Sequence, residues 1–120
     1  TLSMENFNYK EGLSLRLEVI ESLPGHFKMF IYSKNEEVGF CNFEQKRDGS
    51  YYFSGIAIYE KFRDQKLGNN FIEALKDFLR SKKAVGYLSN AIEDSDIVDI
   101  YLRKGWENIE SNLYKFDGTK

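Results

Sequence analysis

The sequence predicts a single mixed α/β (α+β) domain: a twisted, mostly antiparallel sheet with two main helices, one of them on a β-α-β crossover. Three observations carry this expectation. The first half reads as short strands separated by the turn pairs Pro24-Gly25 and Asp48-Gly49. Leu67, Phe71, Ile72, Leu75, Phe78 and Leu79 then recur at helical spacing and form one apolar stripe. A short apolar run at 84–88 follows that helix, which sets it parallel to the strand before the helix in a right-handed unit.

Composition bounds the function. A chain of 120 residues, 42% apolar and 16% aromatic, is long enough to bury one core and too apolar to be disordered. A net charge of −2 argues against a general nucleic-acid binder. The single Cys41 excludes an internal disulfide framework and a cysteine-rich metal site, so no metal is expected. It also fits a reducing compartment, and the expected location is cytoplasmic. No apolar run approaches the ~18–20 residues of a membrane span, and no signal-peptide pattern opens the chain, so no membrane partner is expected. Thr1, Leu2 and Ser3 ahead of Met4 read as a vector-derived remnant, which puts the domain at 4–117.

In chain order, Leu13, Leu15, Leu17 and Val19 alternate with Ser14, Arg16, Glu18 and Ile20, the period of a half-buried strand. Ser22-Leu23-Pro24-Gly25 breaks it. Residues 27–33 form a second strand, 34–37 a turn and 38–45 a third strand. After Asp48-Gly49, residues 50–58 form a fourth strand, apolar on both faces and so expected to be central and covered on both sides. These strands make an antiparallel meander. A charged turn at 59–66 leads into the striped helix. Asp94 or Ser95 caps a second helix at 96–104, which ends with Arg103, Lys104 and a C′ Gly105. Residues 106–116 supply one or two further strands, bending at Ser111-Asn112.

A strand that turns sharply into a helix aims free N–H groups and the positive dipole end at whatever lies above the turn. That suits a phosphate. Here the N–H groups of Gln65 to Asn69 converge, Gly68 permits close backbone approach, and Arg63 and Lys66 add positive charge.

Two motifs resemble the GCN5-related N-acetyltransferase (GNAT) superfamily. Arg63-Asp64-Gln65-Lys66-Leu67-Gly68 is similar to its pyrophosphate loop, Q/R-x-x-G-x-G/A, with lysine at 66 where glycine is usual. Ile100-Tyr101-Leu102-Arg103-Lys104-Gly105-Trp106 resembles its C-terminal signature, a tyrosine four residues before a glycine and an aromatic. The resemblance spans roughly residues 27–116 and implies an acetyl-CoA-dependent N-acetyltransferase that transfers the acetyl group directly to a primary amine. It implies that coenzyme A is held by Arg63, Asp64, Gln65, Lys66, Leu67, Gly68 and Asn69. It further implies that the pantetheine lies between two splayed strands, along the backbone of Ile56, Ala57 and Ile58, with Ser89 and Asn90 facing the cleft. Tyr101 is the implied general acid, and a phenol of pKa near ~10 is a reasonable proton donor to a departing thiolate.

The strand-four carboxylate that the family often uses as base has no counterpart among Tyr51, Tyr52, Phe53 and Ser54, which leaves Glu44, Glu60 and His26 as the nearest groups. The two helices that the family places between its first two strands have no room between Ile20 and Phe27. An open acceptor cleft is then expected, suited to a peptide lysine, a protein N-terminus or a small amine, or one completed by a second copy in a homodimer. The other functional class compatible with these departures is a catalytically inactive CoA-binding or protein-interaction module on the same fold. Cys41, between Phe40 and Phe43 on a strand, reads as a core residue.

Overall fold

The computed structural model describes residues 4–9, 15–54, 57–65, 67–89, 105–110 and 113–120, with backbone alone at 4–9, 63–65 and 67–69. The meander begins with β1 (Met4–Tyr9), β2 (Leu15–Leu23), β3 (His26–Ser33) and β4 (Glu36–Gln45), each antiparallel to the next. In β2 the period-two pattern holds: Leu15, Leu17 and Val19 are buried while Arg16, Glu18 and Ile20 are half-buried. Gly25, at φ 78°, turns β2 directly into β3, so the connection contains no helix. Lys34 and Asn35, at φ 53° and 65°, form the two-residue turn whose twist matches the strands around it. At the next turn the Asp48 carboxylate accepts from the Ser50 amide (2.9 Å) and hydroxyl (2.6 Å).

The single strand expected at 50–58 is two pieces, β5 (Tyr51–Phe53) and β6 (Ala57–Ile58). A 3₁₀ helix (Glu60–Gln65), α1 (Leu67–Lys82), β7 (Val85–Ser89), β8 (Glu107–Glu110) and β9 (Leu113–Asp117) complete the chain order. The sheet order is β1-β2-β3-β4-β5-β7-β9-β8, with β6 on β4. The expected parallel pair is present as β5 and β7, joined through α1; the other pairings are antiparallel. The second helix expected at 96–104 and the bend at Ser111-Asn112 lie outside the described residues, while Gly105 adopts φ 90°.

Helix α1 packs on one face of the sheet. Its stripe, Phe71, Ile72, Ala74, Leu75, Phe78 and Leu79, is buried against Leu17, Met29, Ile31, Phe43, Phe53 and Leu88. Phe78 meets Phe43 and Tyr51 edge-on at 6.0 and 5.8 Å. Each such side chain, moved out of water, contributes about 1.5–3 kcal/mol before entropy is counted. The helix ends in a Schellman motif, with Lys83 left-handed at φ 52° and the Ala84 amide bonded to the Leu79 carbonyl at 3.1 Å. On the opposite face Tyr52 is half-buried and stacks on Tyr87. The expectation that the fourth strand is covered on both sides is therefore corrected: a tyrosine can bury its ring on a neighbour and keep its hydroxyl in water.

Candidate active site

The site is built where the pairing of the two parallel strands ends. Tyr51, Tyr52 and Phe53 pair with Gly86, Tyr87 and Leu88, and Phe53–Leu88 is the last rung. Beyond it the chain stays with β4: the Ser54 amide donates to the Asn42 carbonyl at 2.8 Å, then Ala57 and Ile58 pair with Phe40 and Gly39. Meanwhile β7 continues on its other side, Ser89 pairing with Leu113 of β9. Two strands that share a ladder for three rungs thus have no rung beyond Phe53–Leu88 among the described residues. In open α/β sheets, crevices outside strand C-termini hold ligands.

From Phe43 to Phe40 β4 advances three residues, while its partner advances four, from Phe53 to Ala57. The chain therefore carries one residue more than β4 between these two rungs. Close contact then holds β6 down: a Cβ at Gly39 would lie 2.3 Å from the Ala57 carbonyl oxygen. Tyr59, whose amide donates to the Val38 carbonyl at 2.9 Å, ends this segment. Its hydroxyl donates to the Glu37 carboxylate, and that bond raises the Tyr59 pKa above its ordinary value.

The turn after Tyr59 is tied down from below. Phe62 is buried, and its amide bonds to the Tyr59 carbonyl at 2.8 Å. Arg63, Asp64 and Gln65 occupy the last half of the 3₁₀ helix, and Leu67, Gly68 and Asn69 open α1. The first turn of α1 carries no acidic residue of its own, and its dipole end is positive. An anion is the natural complement.

Among the cofactor positions inferred from sequence, Ala57 and Ile58 lie in β6, and 63–65 and 67–69 lie in the turn and helix beyond it. Ile56, Lys66, Asn90 and Tyr101 lie outside the described residues. Two of the three candidate bases, His26 and Glu44, are neighbours. His26 is exposed at the start of β3, with Nδ1 3.8 Å from Glu44, and Glu60 is exposed at the start of the 3₁₀ helix. Glu44 stands directly across from Tyr52 on β4, paired with Lys46 at 3.2 Å. Cys41 is buried and burial pushes its thiol pKa far up, so it is a core residue and no nucleophile. Sequence reasoning passed over the Tyr52–Tyr87 stack, with ring centroids 4.5 Å apart. Only the pairing register brings those two residues together; parallel pairing of 50–58 with 84–88 was the available signal.

Comparison with known proteins agrees with this geometry. Residues 5–120 match the acetyltransferase (GNAT) domain family. No curated protein matches the sequence significantly. Among solved structures, the ribosomal-protein-S18-alanine N-acetyltransferase from Escherichia coli superposes with TM-score 0.69 at 12% identity, covering 82% of this chain and 73% of that one. An apo RimL, a ribosomal L7/L12 alpha-N-protein acetyltransferase, gives 0.67 at 13% identity and covers 95% and 94%. RimL in complex with coenzyme A gives 0.60 at 13% identity and covers 79% and 64%. With a family match over nearly its whole length, the chain belongs to the GNAT acetyltransferases.

Proposed function

We propose that the chain is an acetyl-CoA-dependent N-acetyltransferase that passes the acetyl group directly to a primary amine. The observation that carries this reading is the end of β5–β7 pairing at Phe53–Leu88, followed by a 3₁₀ turn and a helix whose first turn holds no acidic residue. A long ligand with an anionic end fits that layout. The amides of Gln65, Leu67, Gly68 and Asn69 would bind pyrophosphate oxygens, with Arg63 and Lys66 adding charge and Asp64 completing the loop. The backbone of Ile56, Ala57 and Ile58 on one side, and Asn90 on the other, would line the pantetheine. When bound, acetyl-CoA supplies an acyl group already activated as a thioester.

The chain's own contribution is then mostly orientation. The amine nitrogen bonds to the acyl carbon as the carbon–sulfur bond breaks. The amine's proton passes to water, and the Tyr101 hydroxyl gives its proton to the departing sulfur and regains one from solvent. Two solved neighbours are named for acetylating ribosomal proteins, which supports testing peptide N-termini first. A cytoplasmic location fits the free, buried Cys41.

One observation favours a second reading. The direct β2–β3 turn removes the helical wall the family places there, as a non-catalytic CoA-binding or interaction module could tolerate. A thiol-release assay with acetyl-CoA and pooled amines and peptides separates the two. The enzyme reading expects turnover that falls about 100-fold in Tyr101→Phe with cofactor affinity retained. Cofactor binding without thiol release from any acceptor would select the second reading.

A further inference from the structure

We propose that the acceptor docks as an alkylammonium on the sheet face opposite α1, on the rings of Tyr52 and Tyr87 and the Glu44 carboxylate. This rests on the N-acetyltransferase reading and names the acceptor's seat within it. Tyr51 and Phe53 are buried on the α1 side, so strand alternation turns Tyr52 to the other face. There it stacks on Tyr87, centroids 4.5 Å apart and planes at 30°. The Tyr52–Tyr87 rung is the one before Phe53–Leu88, the last rung of that ladder. The seat is thus about one residue's rise, ~3.3 Å, from the mouth of the proposed cofactor cleft.

Glu44 faces Tyr52 across the β4–β5 ladder. A carboxylate beside an aromatic face, here that of Tyr52 with Tyr87 packed on its other side, is a receptor for a cation. The chain itself supplies the demonstration: the Lys46 ammonium sits 3.2 Å from Glu44 and 5.1 Å from the Tyr52 ring centroid. Lys46 is a primary alkylammonium, the chemical class an amine acceptor presents at neutral pH. Its side chain is 44% exposed and that of Glu44 41%, so the pair is weakly held and an incoming ammonium can displace it. His26 also lies near this carboxylate, with Nδ1 at 3.8 Å. Exposed Asn42, Ser54 and Ser89 lie two residues from Glu44, Tyr52 and Tyr87 in the direction of the cleft and offer hydrogen bonds to a peptide passing over them.

The test tracks tyrosine ring resonances in ¹³C-tyrosine-labelled protein. The probes are ethylamine, spermidine and a lysine-free, alanine-initiated peptide, with the same peptide Nα-acetylated as the uncharged control. Resonances of Tyr52 and Tyr87, assigned by Tyr→Phe substitution, should move saturably with the cationic probes and stay still with the acetylated peptide. Glu44→Gln should weaken binding about fivefold, and Lys46→Ala, which removes the internal competitor, should tighten it. A purely structural tyrosine pair would give neither effect. Still rings, equal shifts with the acetylated control, or binding no tighter in Lys46→Ala would overturn the seat. Acetyl-CoA calorimetry on the same samples keeps the two claims apart. Ring shifts without cofactor binding would sink the enzyme reading alone, and cofactor binding without ring shifts would sink the seat alone.

Discussion

Replacing Gly39 with alanine strikes the wall of the proposed cleft without touching a ligand. The new Cβ would sit 2.3 Å from the Ala57 carbonyl oxygen, 3.0 Å from Ile58 Cδ1 and 3.1 Å from Ile58 Cα. Two of these are backbone atoms that cannot rotate away, so β6 must move off β4 by about 1 Å to regain van der Waals distance. That movement breaks a two-rung ladder, Gly39–Ile58 and Phe40–Ala57. Overpacking costs about 1–3 kcal/mol, and each strained backbone bond adds about 0.5–1.5 kcal/mol. The strain has two outlets. If β6 stays in place, urea denaturation should show a loss of about 2–4 kcal/mol. If β6 lifts away, the core survives, and acetyl-CoA affinity should fall at least tenfold because its backbone wall has moved. Calorimetry and urea titration of the same Gly39→Ala protein read both outlets. Wild-type stability together with wild-type affinity would refute the reasoning.

Other expectations rest on single residues. Cys41 stays protonated in the fold because burial raises its thiol pKa, whereas in the unfolded chain it ionises above about pH 8.5. The unfolded state then binds fewer protons, so stability is full below that pH and falls as pH rises, by at most about 1.4 kcal/mol per unit. Cys41→Ala should lose this slope, and parallel pH profiles for the two proteins would contradict it. Lys83 sits left-handed at the end of α1, at φ 52°. Lys83→Gly should stabilise by about 0.5–1 kcal/mol in thermal or urea unfolding, the left-handed cost less glycine's entropy. Tyr101→Phe should slow transfer about 100-fold while leaving cofactor affinity unchanged, read by comparing kcat with calorimetry.

Much of the fold was legible because its punctuation is local. Pro24-Gly25 and Asp48-Gly49 mark turns whose glycines take φ 78° and 88°, and the stripe from Leu67 to Leu79 marks α1. β1 was not legible. Asn6 and Asn8 interrupt a short segment that gains its strand geometry from pairing with β2, an interaction no local window contains. The split of 50–58 into β5 and β6 was also hidden, since apolar periodicity does not report a one-residue slip against β4. The turn into α1, proposed to hold the cofactor, was legible because strand, turn and helix succeed one another in sequence. The Tyr52–Tyr87–Glu44 cluster joins three strands and so exists only once the register is set.

The central claim is that the end of the β5–β7 ladder at Phe53–Leu88, with the turn beyond it, holds acetyl-CoA. Titrating ¹⁵N-labelled protein with acetyl-CoA and monitoring backbone amides tests it most directly. The account expects saturable shifts at Ala57, Ile58, Gln65, Gly68 and Asn69, with those near Asp48 and Gly49, at the opposite end of β5, unmoved. No shift at millimolar acetyl-CoA, or shifts confined to that opposite end, would contradict it.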